Sequence, residues 1–168
     1  MNDTQDLVNA IADLLGVTLP SSSSDEEGQA ERYQDPTRGA GEHKYPGDYS
    51  PNMATDPRHP TGHRGIDLFA PRGTPVYPLG PGKIIKKMTG SKSGKMIIVQ
   101  DNNDVRSSYM HLDSFGKFNV GDEVGMNDVI GYVGDTGNAK GTSPHLHFEV
   151  RSGGSLINPT SIFGKSIN

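Results

Sequence analysis

The chain has 168 residues, no cysteine and a formal net charge of −4. That length suits one domain with a core of its own plus an extension, and the missing thiols exclude disulfides and thiolate metal sites, so any metal must be held by His, Asp, Glu or backbone oxygen. Residues 1–60 hold 4 Lys/Arg against 11 Asp/Glu, a balance of −7, and residues 61–168 hold 12 against 9, or +3; the second part is too weakly basic, and too poor in interleaved aromatics, for a nucleic-acid surface.

Residues 3–16 read as one amphipathic helix. Leu7, Val8, Ile11, Leu14 and Leu15 recur at helical spacing. Asp3 or Thr4 is placed to cap its start, and Gly16 to end it. A lone helix this short is marginal in water, so its apolar face needs a partner. Residues 1–19 are therefore a candidate docking segment. Residues 20–60 open on Pro-Ser-Ser-Ser-Ser-Asp-Glu-Glu and continue with scattered Gly, Pro and charge. They read as a polar linker that buries too little to fold alone. His43 and His59 fall in it and are read as solvated. No apolar run reaches membrane-spanning length, so no membrane insertion is expected. The opening Met-Asn-Asp-Thr-Gln-Asp is acidic where a secretory signal is basic.

From residue 61 the pattern changes to short strands, over 65–70, 74–77, 82–88, 96–100, 105–112, 129–133 and 145–151. Turn signals separate them: Ser-Gly at 93–94, Asp-Asn-Asn-Asp at 101–104 and Gly-Asp-Thr-Gly at 134–137. No helical pattern of useful length interrupts them. The expected fold is all-β over 61–168. It is a mainly antiparallel sheet, forming a small sandwich or half-open barrel with a groove, preceded by the short helix and the irregular linker.

Four of the six histidines, His63, His111, His145 and His147, sit beside strand or glycine-turn signals in this one region. In the run His145-Leu-His147-Phe-Glu149-Val the side chains alternate between faces. Leu146, Phe148 and Val150 then pin one face to a core, and His145 and His147 share the other with Glu149. Two imidazoles so placed suit one metal ion, or one ligand beside one catalytic group. His63 and Asp67 form a second pair at a turn entering a strand. Two His and one Asp satisfy a catalytic zinc site, which takes three protein ligands and leaves a fourth position open. On spacing alone, core or surface histidines satisfied by hydrogen bonds remain an equal alternative.

The motifs in combination resemble the lysostaphin-type, LytM-like zinc metallopeptidases of peptidoglycan. That family carries His-x-x-x-Asp early, His-x-His late and another His between. Here these are His63-Arg-Gly-Ile-Asp67, Tyr109-Met-His111-Leu and His145-Leu-His147-Phe-Glu-Val. Ala70-Pro-x-Gly-Thr-Pro-Val76, Val120-Gly-x-x-Val124, Ile130-Gly-x-Val-Gly-x-Thr-Gly137 and Ile157-Asn-Pro159 also match. The resemblance covers about residues 60–160. It implies one Zn2+ held by His63, Asp67 and His147, with His111 and His145 as the catalytic pair. Two departures are visible. Met96-Ile-Ile-Val-Gln100-Asp101 ends without the His-Gly common there, at a position that is not a ligand. Ser143 precedes Pro144 where Gly is common, which alters the groove wall.

The implied function is a zinc-dependent endopeptidase cutting peptide cross-links or stem peptides of bacterial peptidoglycan. Lacking a signal, such an enzyme fits a phage-released lysin, or a virion component docked on a tail or other structural protein through residues 1–20. The competing class is a non-catalytic wall-binding or assembly module on the same fold. The chain keeps all five site positions, which argues against that module. A two-His-one-carboxylate iron site usually places its carboxylate two residues after the first His, not four.

Overall fold

The computed structural model describes residues 31–44, 49–51 and 62–167. The helix and docking segment expected over 1–19 lie outside the described residues. Ten strands follow in chain order: β1 Ile66–Phe69, β2 Pro75–Val76, β3 Gly82–Gly90, β4 Gly94–Gln100, β5 Val105–Leu112, β6 Ser114–Phe115, β7 Glu123–Val124, β8 Gly131–Tyr132, β9 His145–Ser152 and β10 Ser155–Ile157. Each expected run contains a strand. β6, β7 and β10 are additional, and at two or three residues they are too short for alternation to register in the sequence.

Among the described residues the strands form two antiparallel sheets, with no closed barrel. The larger has the order β1-β9-β5-β4-β3-β7, with β10 also beside β9. The smaller has the order β2-β8-β6. The core lies on one face of the large sheet. There Ile66 and Leu68 of β1, Ile97 and Val99 of β4, Tyr109 of β5 and Leu146, Phe148 and Val150 of β9 meet Val76, Leu79, Ile130 and Val133 from the small sheet and its flanks. Each such side chain, taken fully out of water, contributes about 1.5–3 kcal/mol. β9 is the centre of this arrangement, bonded to β1 and β10 on one side and β5 on the other.

The described part of the 20–60 segment lies against this domain. Tyr33 N donates to Lys165 O, Gln34 N to Leu79 O and Tyr77 N to Pro36 O. Tyr33 is buried, and its hydroxyl donates to Asp101 at the β4–β5 turn. The Arg38 guanidinium lies 3.8 Å over the Tyr77 ring. The segment then follows the outer edge of β1, where Glu42 pairs with Phe69 and Ser50 with His63. A bare strand edge is a template for unwanted pairing, and this strap covers part of it. Most of its attachments are backbone hydrogen bonds, which leave no hydrophobic pattern in a sequence.

Among the described residues, Tyr109 is the largest fully buried side chain. Its hydroxyl accepts from Leu79 N at 2.6 Å and donates to Ser107 Oγ at 2.8 Å. It therefore ties the large sheet to the turn leading into β3. Tyr109→Phe leaves the buried Leu79 N–H unpaired, so a loss of about 1–3 kcal/mol in denaturant unfolding is expected. An unchanged unfolding midpoint would show that the bond is replaced.

Candidate active site

β9 alternates as its sequence dictates. Leu146, Phe148 and Val150 are each 0% exposed on the core face. His145, His147 and Glu149 stand on the opposite face, along a groove. The register of β1 places Asp67 directly across from His147, flanked by the buried pairs Ile66–Phe148 and Leu68–Leu146. Partners across a ladder share a face, so Asp67 and His147 meet. His63 joins them from the turn before β1. Gly62 permits that turn, since a Cβ on it would lie 2.6 Å from Ser50 O and its φ is +89°.

Three donor atoms converge. His63 Nε2 lies 3.1 Å from His147 Nδ1 and 3.2 Å from Asp67 Oδ1, and His147 Nδ1 lies 2.9 Å from Asp67 Oδ1. Ligands about 2.0 Å from a tetrahedral zinc stand about 3.3 Å apart, so the triangle fits with small side-chain adjustments. Among the described residues, these three form the group of His and acidic side chains able to hold a metal ion. The donor set is nitrogen and oxygen, as zinc accepts, and it offers no sulfur.

The electrostatics agree with a cation site. Burial alone would raise the Asp67 carboxyl. The bonds to His147 and His63 outweigh burial and hold it well below the usual carboxylate range. Burial alone would lower His147, but Asp67 and Glu149 outweigh that and raise its proton affinity. Glu149 is positioned to do more. Its Oε1 lies 3.3 Å from His147 Nε2. A carboxylate there favours the N–H on Nε2, which leaves Nδ1 bare toward Asp67 and His63. Metal-bound histidines are commonly oriented by such an outer carboxylate.

His111 and His145 stand beside this triangle. Their ring centroids are 5.1 Å apart, and His111 is 5.8 Å from His147. Each presents the same tautomer. His111 Nδ1 is 2.9 Å from Thr136 O, and His145 Nδ1 is 2.8 Å from Ser143 O. A carbonyl only accepts, so Nδ1 carries the hydrogen in both and Nε2 is left as the reactive nitrogen. Burial and the nearby His147 and His145 push His111 down to about 4, so it is neutral at physiological pH. His111 is also strained, with φ of +62°. A non-glycine residue in that region costs of order 1–3 kcal/mol, and such strain concentrates at functional sites.

All five residues singled out from sequence, His63, Asp67, His111, His145 and His147, thus line one groove. His43 is not among its lining residues, and His59 lies outside the described residues. Lys92, Met110 and Asn138 also line the groove. Met110 pairs with His147 across the β5–β9 ladder. Glu149 and Thr136 carry contacts that sequence reasoning did not assign. For Glu149 the signal was available, because it shares the alternating face with both histidines. For Thr136 there was none, because its role depends on a loop folding back over β4 and β5.

The comparisons with known proteins agree. Residues 61–159 match the model of peptidase family M23. The chain is 39% identical over 100 residues to the DD-carboxypeptidase/endopeptidase Mpg of Neisseria meningitidis, covering 60% of this chain and 22% of that protein. It is 42% identical over 89 residues to the glycyl-glycine endopeptidase ALE-1 of Staphylococcus capitis, covering 52% of this chain and 24% of that one. The chain thus spans about a quarter of the length of these relatives. A zinc-containing peptidase from Vibrio cholerae has the same fold, with TM-score 0.66 and 27% identity, over 77% of this chain and 40% of that chain. With residues 61–159, more than half of the chain, matched by the family's model, the chain belongs to peptidase family M23.

Proposed function

We propose that the chain is a zinc-dependent endopeptidase that hydrolyses peptide bonds of bacterial peptidoglycan. In this reading His63, Asp67 and His147 hold one zinc ion, and His111 and His145 are the catalytic pair. The observation that carries it is the convergence of three nitrogen and oxygen donors within 3.2 Å of one another, with two Nδ1-protonated imidazoles beside them. The zinc-containing Vibrio peptidase of the same fold supports the metal.

Zinc bound there supplies Lewis-acid chemistry, polarising a scissile carbonyl and lowering the pKa of water toward neutrality. The remaining work falls to the chain. Asp67, His63 and His147 would hold the ion, and the Asp67 carboxylate would offset part of its charge. Glu149 fixes the tautomer of His147. In this reading the bare Nε2 of either His111 or His145 takes the proton of the attacking water, and an Nε2 that has gained a proton can then donate to the developing oxyanion. The two curated relatives are named for different bonds, DD and glycyl-glycine. Direct cross-links with D-amino acids and glycine bridges therefore both belong to the proposed substrate set. Docking to a phage tail or other virion protein is a separate reading. It rests on the helical spacing of Leu7, Val8, Ile11, Leu14 and Leu15, outside the described residues. Recovery of the chain from purified particles supports it, and recovery only from soluble lysate counts against it.

Incubation with peptidoglycan of several wall chemotypes is expected to release peptide fragments that mass spectrometry assigns to one bond. A chelator should stop the release, and His145→Ala should slow it by about 10²–10⁴-fold. Zinc-loaded protein that cuts no wall at all would favour the non-catalytic binding module. A separate expectation concerns Glu149. Glu149→Ala should weaken zinc binding by about 10–100-fold in competition with a chromophoric chelator. Unaltered affinity would remove Glu149 from the site.

A further inference from the structure

The loop after β8 reads Gly134-Asp-Thr136-Gly137 and leads into a one-turn 3-10 helix, Gly137–Ala139. It supplies no donor to the zinc triangle, yet Thr136 bonds to the end of β5 through its backbone and its side chain. Thr136 O accepts from His111 Nδ1, and Thr136 N donates to His111 O at 3.3 Å. The hydroxyl is inserted into the β4–β5 ladder. Lys95 and Leu112 are partners there, but Lys95 N donates to Thr136 Oγ1 at 2.9 Å, and Thr136 Oγ1 donates to Leu112 O at 2.7 Å. The ladder shifts register between Lys95 and Ile97, next to the strained His111.

Two glycines make room for this insertion. A Cβ on Gly94 would lie 2.2 Å from Thr136 Oγ1, and one on Gly137 would lie 2.2 Å from Gly94 N. The loop is anchored from outside as well. Arg72 bridges Asp113 and Asp135, and His145 N donates to Gly134 O.

We propose that Thr136 is a positioning residue for His111. Its hydroxyl, spliced into the β4–β5 ladder, holds the end of β5 in the left-handed turn that aims His111 Nε2 into the groove. The inference rests on the catalytic role given to His111 under Proposed function. Threonine is needed rather than an isosteric apolar residue. Valine would leave Lys95 N–H and Leu112 C=O without their shared partner, so the chain would relax toward ordinary pairing and turn the ring away. Serine keeps the hydroxyl.

The test uses the full chain loaded with zinc and a soluble, defined cross-linked muropeptide. Thr136→Val should lower kcat by about 10–100-fold, the scale expected for misplacing a catalytic group by ~1 Å. KM and the zinc bound per chain should stay as in wild type, and Thr136→Ser should recover most of kcat. A nitrogen-15 imidazole spectrum gives a readout free of activity. Wild type and Thr136→Ser should show His111 as the Nδ1–H tautomer, and Thr136→Val should lose or shift that signal. Wild-type kcat in Thr136→Val, or a Thr136→Ser variant as slow as the valine, would overturn the proposal. An Nε2–H tautomer for His111 in wild type would overturn it even if the valine variant fails to fold. His111→Ala separates the two layers. Full activity in that variant removes the catalytic role itself, whereas an inactive His111→Ala beside a fully active Thr136→Val overturns positioning alone.

Discussion

The antiparallel pairing of β1 with β9 is the constraint on which the rest depends. Its register sets Asp67 opposite His147 while Ile66 faces Phe148 and Leu68 faces Leu146 on the other side. The hydrophobic pairs fix the register, because a slip of one residue would turn Ile66 and Leu68 of β1 away from the core. The polar pair therefore comes together without needing attraction of its own. That matters because burying a carboxylate and two imidazoles costs desolvation, which the bonds among them must offset. The core supports the burial of the His63, Asp67 and His147 group, and that group contributes little to the core.

Around this pair the supporting contacts divide by task. Carbonyl oxygens of Thr136 and Ser143 set the tautomers of His111 and His145, and a carboxylate sets that of His147. Each device fixes which nitrogen carries the hydrogen and which is left bare. The strap formed by the described residues of 31–51 reaches the same place from outside, pairing with β1 at Phe69 and with His63. β1 is thus held on both edges, by β9 and by the strap. Local rigidity of this kind is what a site with a preferred geometry needs, since small displacements of a reacting group are expensive.

The strands, and the shared face of His145, His147 and Glu149, were legible because both rest on alternation. His145-Leu-His147-Phe-Glu149-Val states its two faces outright, and the apolar face names the core. The meeting of His63 and Asp67 with His147 was legible only through the family motif, since no local pattern announces the β1–β9 register. Other features left no trace. The positive φ of His111 falls on an ordinary strand residue. Thr136 reads as part of a Gly-Asp-Thr-Gly turn, and its hydroxyl acts on residues far away in sequence. The strap reads as linker because it is held by main-chain hydrogen bonds, with Tyr33 as its main buried apolar anchor.

The central claim is that His63, Asp67 and His147 form a metal centre with an open position. X-ray absorption at the zinc edge of the loaded protein tests it most directly. The account predicts a fourfold shell of nitrogen and oxygen at about 2.0–2.1 Å, with the scattering signature of two imidazoles and no sulfur, and loss of one imidazole in His147→Ala. A six-coordinate oxygen shell, or a spectrum that His147→Ala leaves unchanged, would contradict it.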